Sequence, residues 1–453
     1  MEKSEIKDYF LKTIYSPQSL MVETEEKDYF DFNPNRGIRN GNNIDLRNLT
    51  LGSFLKDVYG ETMRTRISGD DINEYDFQRR NVASGGALYP NIIYVIQSNK
   101  TLTKIYQYNP ALHTLIKIKD INGKIDVLEE DQMHFIITSY YWRNWMKYRY
   151  FGYRLIAVDT GYLISLMCAK LRDYKVNTFV QISSEKFRML NKVLELDLEY
   201  ESMYSIISCN KENFNLENIK KERVDSELTK DMDAFPLPFY KEIELAAIDE
   251  KFSFESRIEM SKVRKFNVDL SNRVSPGGAQ LSTSKPLEKK ILVMFTEKIS
   301  TLLNQYNDFS QGIEIYIKVN NATDVKTGIY CIKGGKLEYL NNIGSDEKLN
   351  KKLLTKKNFN IGVIPILIYV GANLETHMKE NGTGGFKIMQ IKVGFISQLI
   401  SLVCLECQLN THPILGYDAK LLEDVSKIKG EVMLLNLIPI SPQKILDRFE
   451  IKF

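Results

Sequence analysis

Lys147 and Tyr148 stand side by side at the end of an aromatic segment, Trp142-Arg143-Asn144-Trp145-Met146-Lys147-Tyr148. An adjacent amine and phenol can take up and relay a proton, provided that the amine is neutral, a state that burial or neighbouring cations favour. A Lys-Tyr pair ahead of a helix is also commonplace structure without chemistry. Arg36 and Arg39, in Asn35-Arg36-Gly37-Ile38-Arg39, are three residues apart. At a helix start both guanidinium groups can face one phosphate, helped by the first backbone amides; elsewhere such a pair is a solvated face. The third stretch is Arg79-Arg80-Asn81-Val82-Ala83-Ser84-Gly85-Gly86-Ala87-Leu88-Tyr89-Pro90. Ser84 followed by Gly85 and Gly86 lets the backbone approach a flat ligand, and Pro90 stiffens the exit into a strand. The same residues also suit a plain turn between helix and strand.

Together these parts describe a site for a flat, phosphate-bearing cofactor. The arginines would hold its phosphate, the Ser-Gly-Gly loop its ring, and the Lys-Tyr pair would face the substrate. No G-x-G-x-x-G follows a strand and no G-x-x-x-x-G-K-[ST] occurs, so dinucleotide and P-loop sites lose support and a flavin is the better candidate. Four scattered histidines give no metal cluster. Cys404-x-x-Cys407 lies inside an apolar run and reads as core packing, and five cysteines in all point to a reducing compartment. A net charge of +3 makes no case for nucleic acid. The N-terminus carries Glu2, Lys3, Glu5, Lys7 and Asp8 and does not read as a signal peptide. The most apolar stretches hold Asp159 and Lys170, or Lys392 and Gln398, which suits buried helices rather than membrane spans. The expectation is a cytoplasmic protein without a membrane partner.

The elements that would position these residues can be read by period. Leu51, Phe54, Leu55, Val58 and Tyr59 mark a core-facing helix ending at Gly60. Short β-rich runs over 92–97, 104–108, 113–118 and 134–140 predict a meander, followed by a nearly all-apolar helix over 154–173. A strand near 178–182, a helix near 185–194 and a strand near 203–209 complete this half. Residues 1–30 show no clear period and read as an arm; 211–250 are highly charged, contain Pro236 and Pro238, and read as a linker. The second half then repeats the first. Gly152-Tyr153-Arg154 through Gly161 aligns without a gap on Gly385-Phe386-Lys387 through Gly394, and Lys104-Ile105-Tyr106 on Gly328-Ile329-Tyr330. A blurred copy of the loop occurs at Arg273-Val274-Ser275-Pro276-Gly277-Gly278-Ala279, followed by an inserted helix-like stretch over 287–306. The aligned positions of Lys147 and Tyr148 are Glu380 and Asn381, so the symmetry is broken at the reactive pair. The organisation is thus an arm (1–30), a complete domain (31–210), a linker (211–250) and a degenerate second domain (251–453).

The loop from Arg80 to Tyr94, the segment Ile105-Tyr106-Gln107-Tyr108-Asn109-Pro110, the pair Lys147-Tyr148 and the helix start Tyr153-Arg154 resemble the flavin-dependent nitroreductase superfamily. Within it they are most similar to the SagB/McbC type of azoline dehydrogenase. The resemblance covers most of residues 30–210 and departs from the superfamily pattern at Asn35 and Gly37. It implies an α+β fold of tandem nitroreductase-like domains, each a mostly antiparallel sheet with surrounding helices, packed as a pseudo-dimer within one chain. It implies FMN, with Arg36 and Arg39 on the phosphate, Ser84, Gly85 and Gly86 along the ring, and Lys147 and Tyr148 as the catalytic pair. The activity implied is oxidation of peptide thiazolines or oxazolines to azoles. Its partners would be a modified precursor peptide and a cyclodehydratase complex, with further homo-oligomerisation open. A flavin-dependent reductase of a dehydroalanine, nitro or quinone substrate, or a flavin-free scaffold binding a precursor peptide or cyclodehydratase, are the alternatives.

Overall fold

A computed structural model of the chain describes residues 1–21, 37–67, 75–214, 236–273, 275–276, 281, 283, 285–342, 353–354, 360–426, 428, 431–442 and 450–452. In chain order the first half runs α1 (Lys3–Tyr15), β1 (Asn43–Asp45), α2 (Thr50–Tyr59), β2 (Glu61–Ile67), β3 (Tyr75–Arg80), β4 (Asn91–Ser98), β5 (Leu102–Asn109), β6 (Thr114–Asn122), β7 (Gln132–Tyr140), α3 (Tyr141–Tyr148), α4 (Gly152–Asp173), β8 (Thr178–Ser183), α5 (Ser184–Val193) and β9 (Glu201–Asn210). The second runs α6 (Pro238–Asp249), β10 (Ser253–Ile258), α7 (Lys289–Gln305), α8 (Asn307–Ser310), β11 (Ile313–Val319), β12 (Gly328–Lys333), β13 (Lys336–Asn341), β14 (Ile366–Ala372), α9 (Leu374–Asn381), α10 (Gly384–Glu406), β15 (Leu409–Thr411), α11 (Ala419–Ser426), β16 (Met433–Pro442) and β17 (Glu450–Lys452).

The predicted repeat is visible in the sheet orders. The first sheet is β1-β6-β5-β4-β7-β9-β8-β10 and the second β13-β12-β11-β14-β16-β15, so six strands match position for position. All neighbours in both sheets pair antiparallel, as single polar-edged meanders with a returning strand allow. A small third sheet, β17-β2-β3, pairs the last strand of the second half with a hairpin of the first. The architecture is therefore α+β and duplicated, as the sequence pattern leads one to expect.

The halves are locked together by α4 and α10, which are apolar on almost every side and buried over nearly their whole length. Length and composition alone would let α10 cross a membrane, but its residues are buried inside the fold. The helices cross at the glycines that the repeat aligns. A Cβ on Gly161 would lie 2.1 Å from the Ile391 carbonyl oxygen, and one on Gly394 2.1 Å from that of Val158. These contacts are equivalent under the repeat, so the crossing lies on a pseudo-twofold axis. Neither backbone can yield without moving a helix. Gly161→Ala is expected to cost roughly 1–3 kcal/mol or more through overpacking, read as a lowered urea midpoint with the slope unchanged. A midpoint equal to that of the unaltered chain would refute this account of the crossing.

A second reciprocal pair straddles the axis. Arg154 on α4 donates to the carbonyls of Thr13 and Leu435, the latter on β16, whereas its counterpart Lys387 on α10 donates to the Met203 carbonyl on β9. Each half thus sends one buried cation to the other's sheet. Lys387 is neutralised by Glu244, 2.5 Å away, which also accepts from Tyr153 Oη at 2.8 Å.

Three expectations require correction. The stretch read as an aperiodic arm begins with α1, whose Ile6, Tyr9, Phe10, Thr13 and Ile14 are buried at helical spacing, with Phe10 stacked on Phe386 at 3.9 Å. The charged linker contains α6, a core helix with Tyr240, Ile243, Glu244, Ala247 and Ile248 buried. Finally, β10 belongs by sequence to the second half but pairs with β8 on the edge of the first sheet, Ser253 opposite Ser183.

Candidate functional site

Strand β7 leads directly into α3, so the end of the sheet fixes the point from which Lys147 and Tyr148 project on the last helical turn. The helix is stopped by Arg149, which has φ 49° and ψ −133°. A side chain in that conformation costs on the order of 1–3 kcal/mol. The equivalent residue of the second half is Gly382, with φ 55° and ψ −145°, for which the same geometry is unstrained. Only the half with the Lys-Tyr pair carries a bulky residue there. Arg149 offsets part of the cost by donating to the Met146 carbonyl at 3.1 Å and stacking over Trp145 at 4.4 Å.

The Ser-Gly-Gly loop lies against α4. Ser84 Oγ donates to Asp159 Oδ2 at 2.7 Å, the Gly85 amide donates to Asp159 Oδ1 at 3.0 Å, and the Tyr89 amide donates to Ser84 Oγ at 2.9 Å. Burial raises the Asp159 carboxyl to about 7, against the opposing pull of the hydrogen bonds from Ser84, Gly85 and Asn144. The Ser84 hydroxyl is therefore committed to holding the loop. Gly86 then turns with φ 66°, and a Cβ there would meet Tyr148 Oη at 2.7 Å and Lys147 Nζ at 3.0 Å. Ser84, Gly85, Gly86, Lys147 and Tyr148, separated by about sixty residues in sequence, thus form one cluster.

The arginines behave differently. Arg36 lies outside the described residues. Residues 38–40 form no helix after Gly37, which turns with φ 80°, so the expected helix start around Arg39 is absent. Arg39 is buried; its amide donates to Gln107 Oε1 and its Nη2 to the Leu194 carbonyl, both at 2.7 Å. It shares a face of the first sheet with Tyr94 and Glu201. Asn91 on the same strand points to Thr160 of α4 at 2.7 Å, and by the two-residue alternation Tyr94 points the other way. Arg39 is thus on the far side of the sheet from Ser84.

The sequence reading missed three buried charges beside the loop. Asp159 stood out only as a polar residue in an apolar helix; the available signal was that Lys392 occupies the aligned position in the second half. Arg143 donates to the Tyr89 carbonyl at 2.6 Å, and burial lowers it to about 10. Arg80 is 2% exposed, its guanidinium between the rings of Tyr59 and Tyr89 at 4.1 and 4.6 Å.

The absence of a Cβ at Gly86 lets the Lys147 amine and the Tyr148 phenol close on the loop backbone, and the amine, the phenol and the partly exposed glycine backbone are donor types that the ring of a flavin can use.

No family profile matches the sequence. A protein of Methanocaldococcus jannaschii named as a nitroreductase is 24% identical over 123 residues, 27% of this chain and 62% of that protein. The chain therefore spans less than two thirds of the length of this relative. The crystal structure of a protein of Anabaena variabilis named as a nitroreductase superposes with a TM-score of 0.72 at 16% identity, covering 97% of this chain and 99% of that one. The chain has this nitroreductase-like fold, including its duplication from end to end. The Escherichia coli microcin synthetase complex covers 46% of this chain and 92% of the other at 15% identity, with a TM-score of 0.28 that adds nothing to the assignment.

Proposed function

We propose that the chain is a cytoplasmic FMN-dependent oxidoreductase, and specifically a dehydrogenase that converts thiazolines or oxazolines of a modified precursor peptide to azoles beside a cyclodehydratase. The observation that carries this reading is the meeting of Lys147 and Tyr148 over Gly86 in one half alone, with Glu380 and Asn381 at the equivalent positions of the other.

FMN, when bound, would supply the two-electron acceptor that takes hydride from the β-carbon of the azoline. Lys147 Nζ would take the α-proton, which the adjoining C=N acidifies, so that the ring loses two hydrogens and gains a C=C bond. Tyr148 would orient the amine or pass on its proton. Gly85 and Gly86 would offer backbone to the ring, while Asp159 holds the loop through Ser84 and Gly85. Arg36 remains the residue proposed from the family for the phosphate; Arg39, tied to Leu194, would have a structural role.

The purified protein should be yellow, contain one FMN per chain, and remove 2 Da from an azoline peptide. Two FMN per chain would sink the single-site reading. A colourless folded protein would favour the scaffold, and rapid flavin reduction by nicotinamide without loss of 2 Da would favour a reductase.

A further inference from the structure

Taking Lys147 and Tyr148 as the reactive pair proposed above, a reading on which this one rests, we infer that Arg149 is their positioning residue. The strained turn it makes behind α3 holds the last helical turn, and with it the amine and the phenol, against the Ser-Gly-Gly loop.

The turn into the central helix occurs twice in the chain, and only one copy is strained. After α9 the reversal falls on Gly382, with φ 55° and ψ −145°; after α3 it falls on Arg149, with φ 49° and ψ −133°. In the second half glycine is also needed for space, since a Cβ on Gly382 would stand 2.3 Å from Glu250 Oε2. In the first half a long side chain occupies the position although the backbone disfavours it.

That side chain folds back on the helix it ends. Arg149 Nη1 donates to the Met146 carbonyl at 3.1 Å and, more weakly, to that of Trp145 at 3.5 Å, while the guanidinium covers the Trp145 ring at 4.4 Å. Carbonyls in the last turn of a helix have no partner within it, and a cation there meets both these acceptors and the negative end of the helix dipole. Trp145 and Met146 directly precede Lys147, so the arginine grips the backbone from which the pair projects.

The turn is held from outside as well. Tyr240 Oη on α6 donates to the Arg149 carbonyl at 2.8 Å, and Tyr9 Oη on α1 donates to the Tyr150 carbonyl at 2.5 Å. Both tyrosines are buried. Strain of this kind persists only where the surroundings over-determine it. In front of the pair, Gly86 leaves the room that Tyr148 Oη and Lys147 Nζ take up. The two side chains are thus caught between a clamped turn and the loop.

Arg149→Gly and Arg149→Ala test this in the full chain. Both remove the guanidinium; glycine also relaxes the backbone, whereas alanine keeps the strain. Glycine should therefore unfold at the higher urea midpoint, and a midpoint at or below that of alanine would remove the strain from which the proposal starts. Positioning is read on Lys147 itself, by competitive acetylation with acetic anhydride and peptide mass spectrometry, with the exposed Lys336 as internal reference. In both variants Lys147 should be acetylated about fivefold faster or more, the factor that corresponds to one lost hydrogen bond. Arg149→Lys, which returns a donor to the same carbonyls, should recover part of the protection. The kcat for azoline oxidation should fall about ten- to a hundredfold in both, with KM unchanged. Acetylation equal to that of the unaltered chain would overturn the proposal, because a merely structural arginine would move the midpoint and leave the amine as it was. Gly382 shows that glycine adopts this geometry, so Arg149→Gly keeps the test valid if the alanine variant fails to fold. Faster acetylation in a chain that oxidises no azoline would support the positioning of the amine and reject the activity assigned to it.

Discussion

Lys147→Ala is expected to slow azoline oxidation by about a hundred- to ten-thousandfold, the usual contribution of a positioned general base, while FMN stays bound. The two outcomes separate because the loop is held by α4 rather than by the lysine: Ser84 and Gly85 are bonded to Asp159. Lys147→Met is the sharper variant. It keeps a stem of similar length over Gly86, where Lys147 Cδ stands 3.1 Å from the position of a Cβ, and removes only the amine. If packing were the role of Lys147, the methionine would retain turnover. If proton transfer is the role, both variants fail equally, and Tyr148→Phe loses less than either. Loss of 2 Da per azoline, followed by mass spectrometry under single-turnover conditions, reads all three; flavin absorbance of the desalted variants reports retention. Turnover of Lys147→Met at the unaltered rate would refute the assignment.

The same comparison shows how far a sequence carries such a site. The duplication was legible because α4 and α10 keep their glycines and cations in register, and a helix crossing at Gly161 and Gly394 tolerates no insertion. The meander strands were legible because their apolar residues alternate with turn signals between them. Both α1 and α6 were hidden for the opposite reason. Their core faces are interleaved with Glu, Lys and Asp, and Glu244 itself faces inward, where Lys387 neutralises it. A charge pattern cannot reveal a partner 143 residues away. Likewise β10 alternates as any edge strand does, and nothing in Ser253 to Ile258 says which sheet it will join.

At the site, spacing found the residues that meet and misplaced one that does not. The Lys-Tyr pair and the glycine loop each have a local signature, so their encounter over Gly86 could be anticipated from resemblance. Arg39 has the right spacing from Arg36, but its environment is set by Gln107 and Leu194, both remote in sequence. Arg80 lies in the same stretch as Ser84 without a local signature of its own, because what singles it out is the lack of an acceptor for Nε and Nη1 among the described residues. Resemblance is a guide to signatures shared among relatives; a buried, unanswered charge appears only once the packing is known.

Asp159 is expected to give the fold a marked pH dependence. Its folded carboxyl is raised to about 7 by burial, from the ordinary carboxyl value of 3.8. The sign follows from proton uptake. Between these values the folded state holds a proton that the unfolded state has released, so stability falls as pH rises through the window. The contribution is fully present below about pH 4 and lost above about pH 7, and integrating 1.36 kcal/mol per pH unit gives roughly 4 kcal/mol. Asp159→Asn keeps the shape and an acceptor for the Gly85 amide but has no proton to lose. The unfolding free energy of the unaltered chain, minus that of Asp159→Asn, should therefore decline from pH 4 to pH 7 and level off beyond. Urea titrations at intervals across that range measure it. A flat difference would mean that Asp159 is ionised throughout, with the loop amides outweighing burial. That result would also change the site, because a permanent negative charge under Gly85 would stand beneath any ring lying on the loop, and such a charge opposes the electron-rich reduced form of that ring. A declining difference places a protonated acid there below about pH 7, bonded to the loop, and a carboxylate above it.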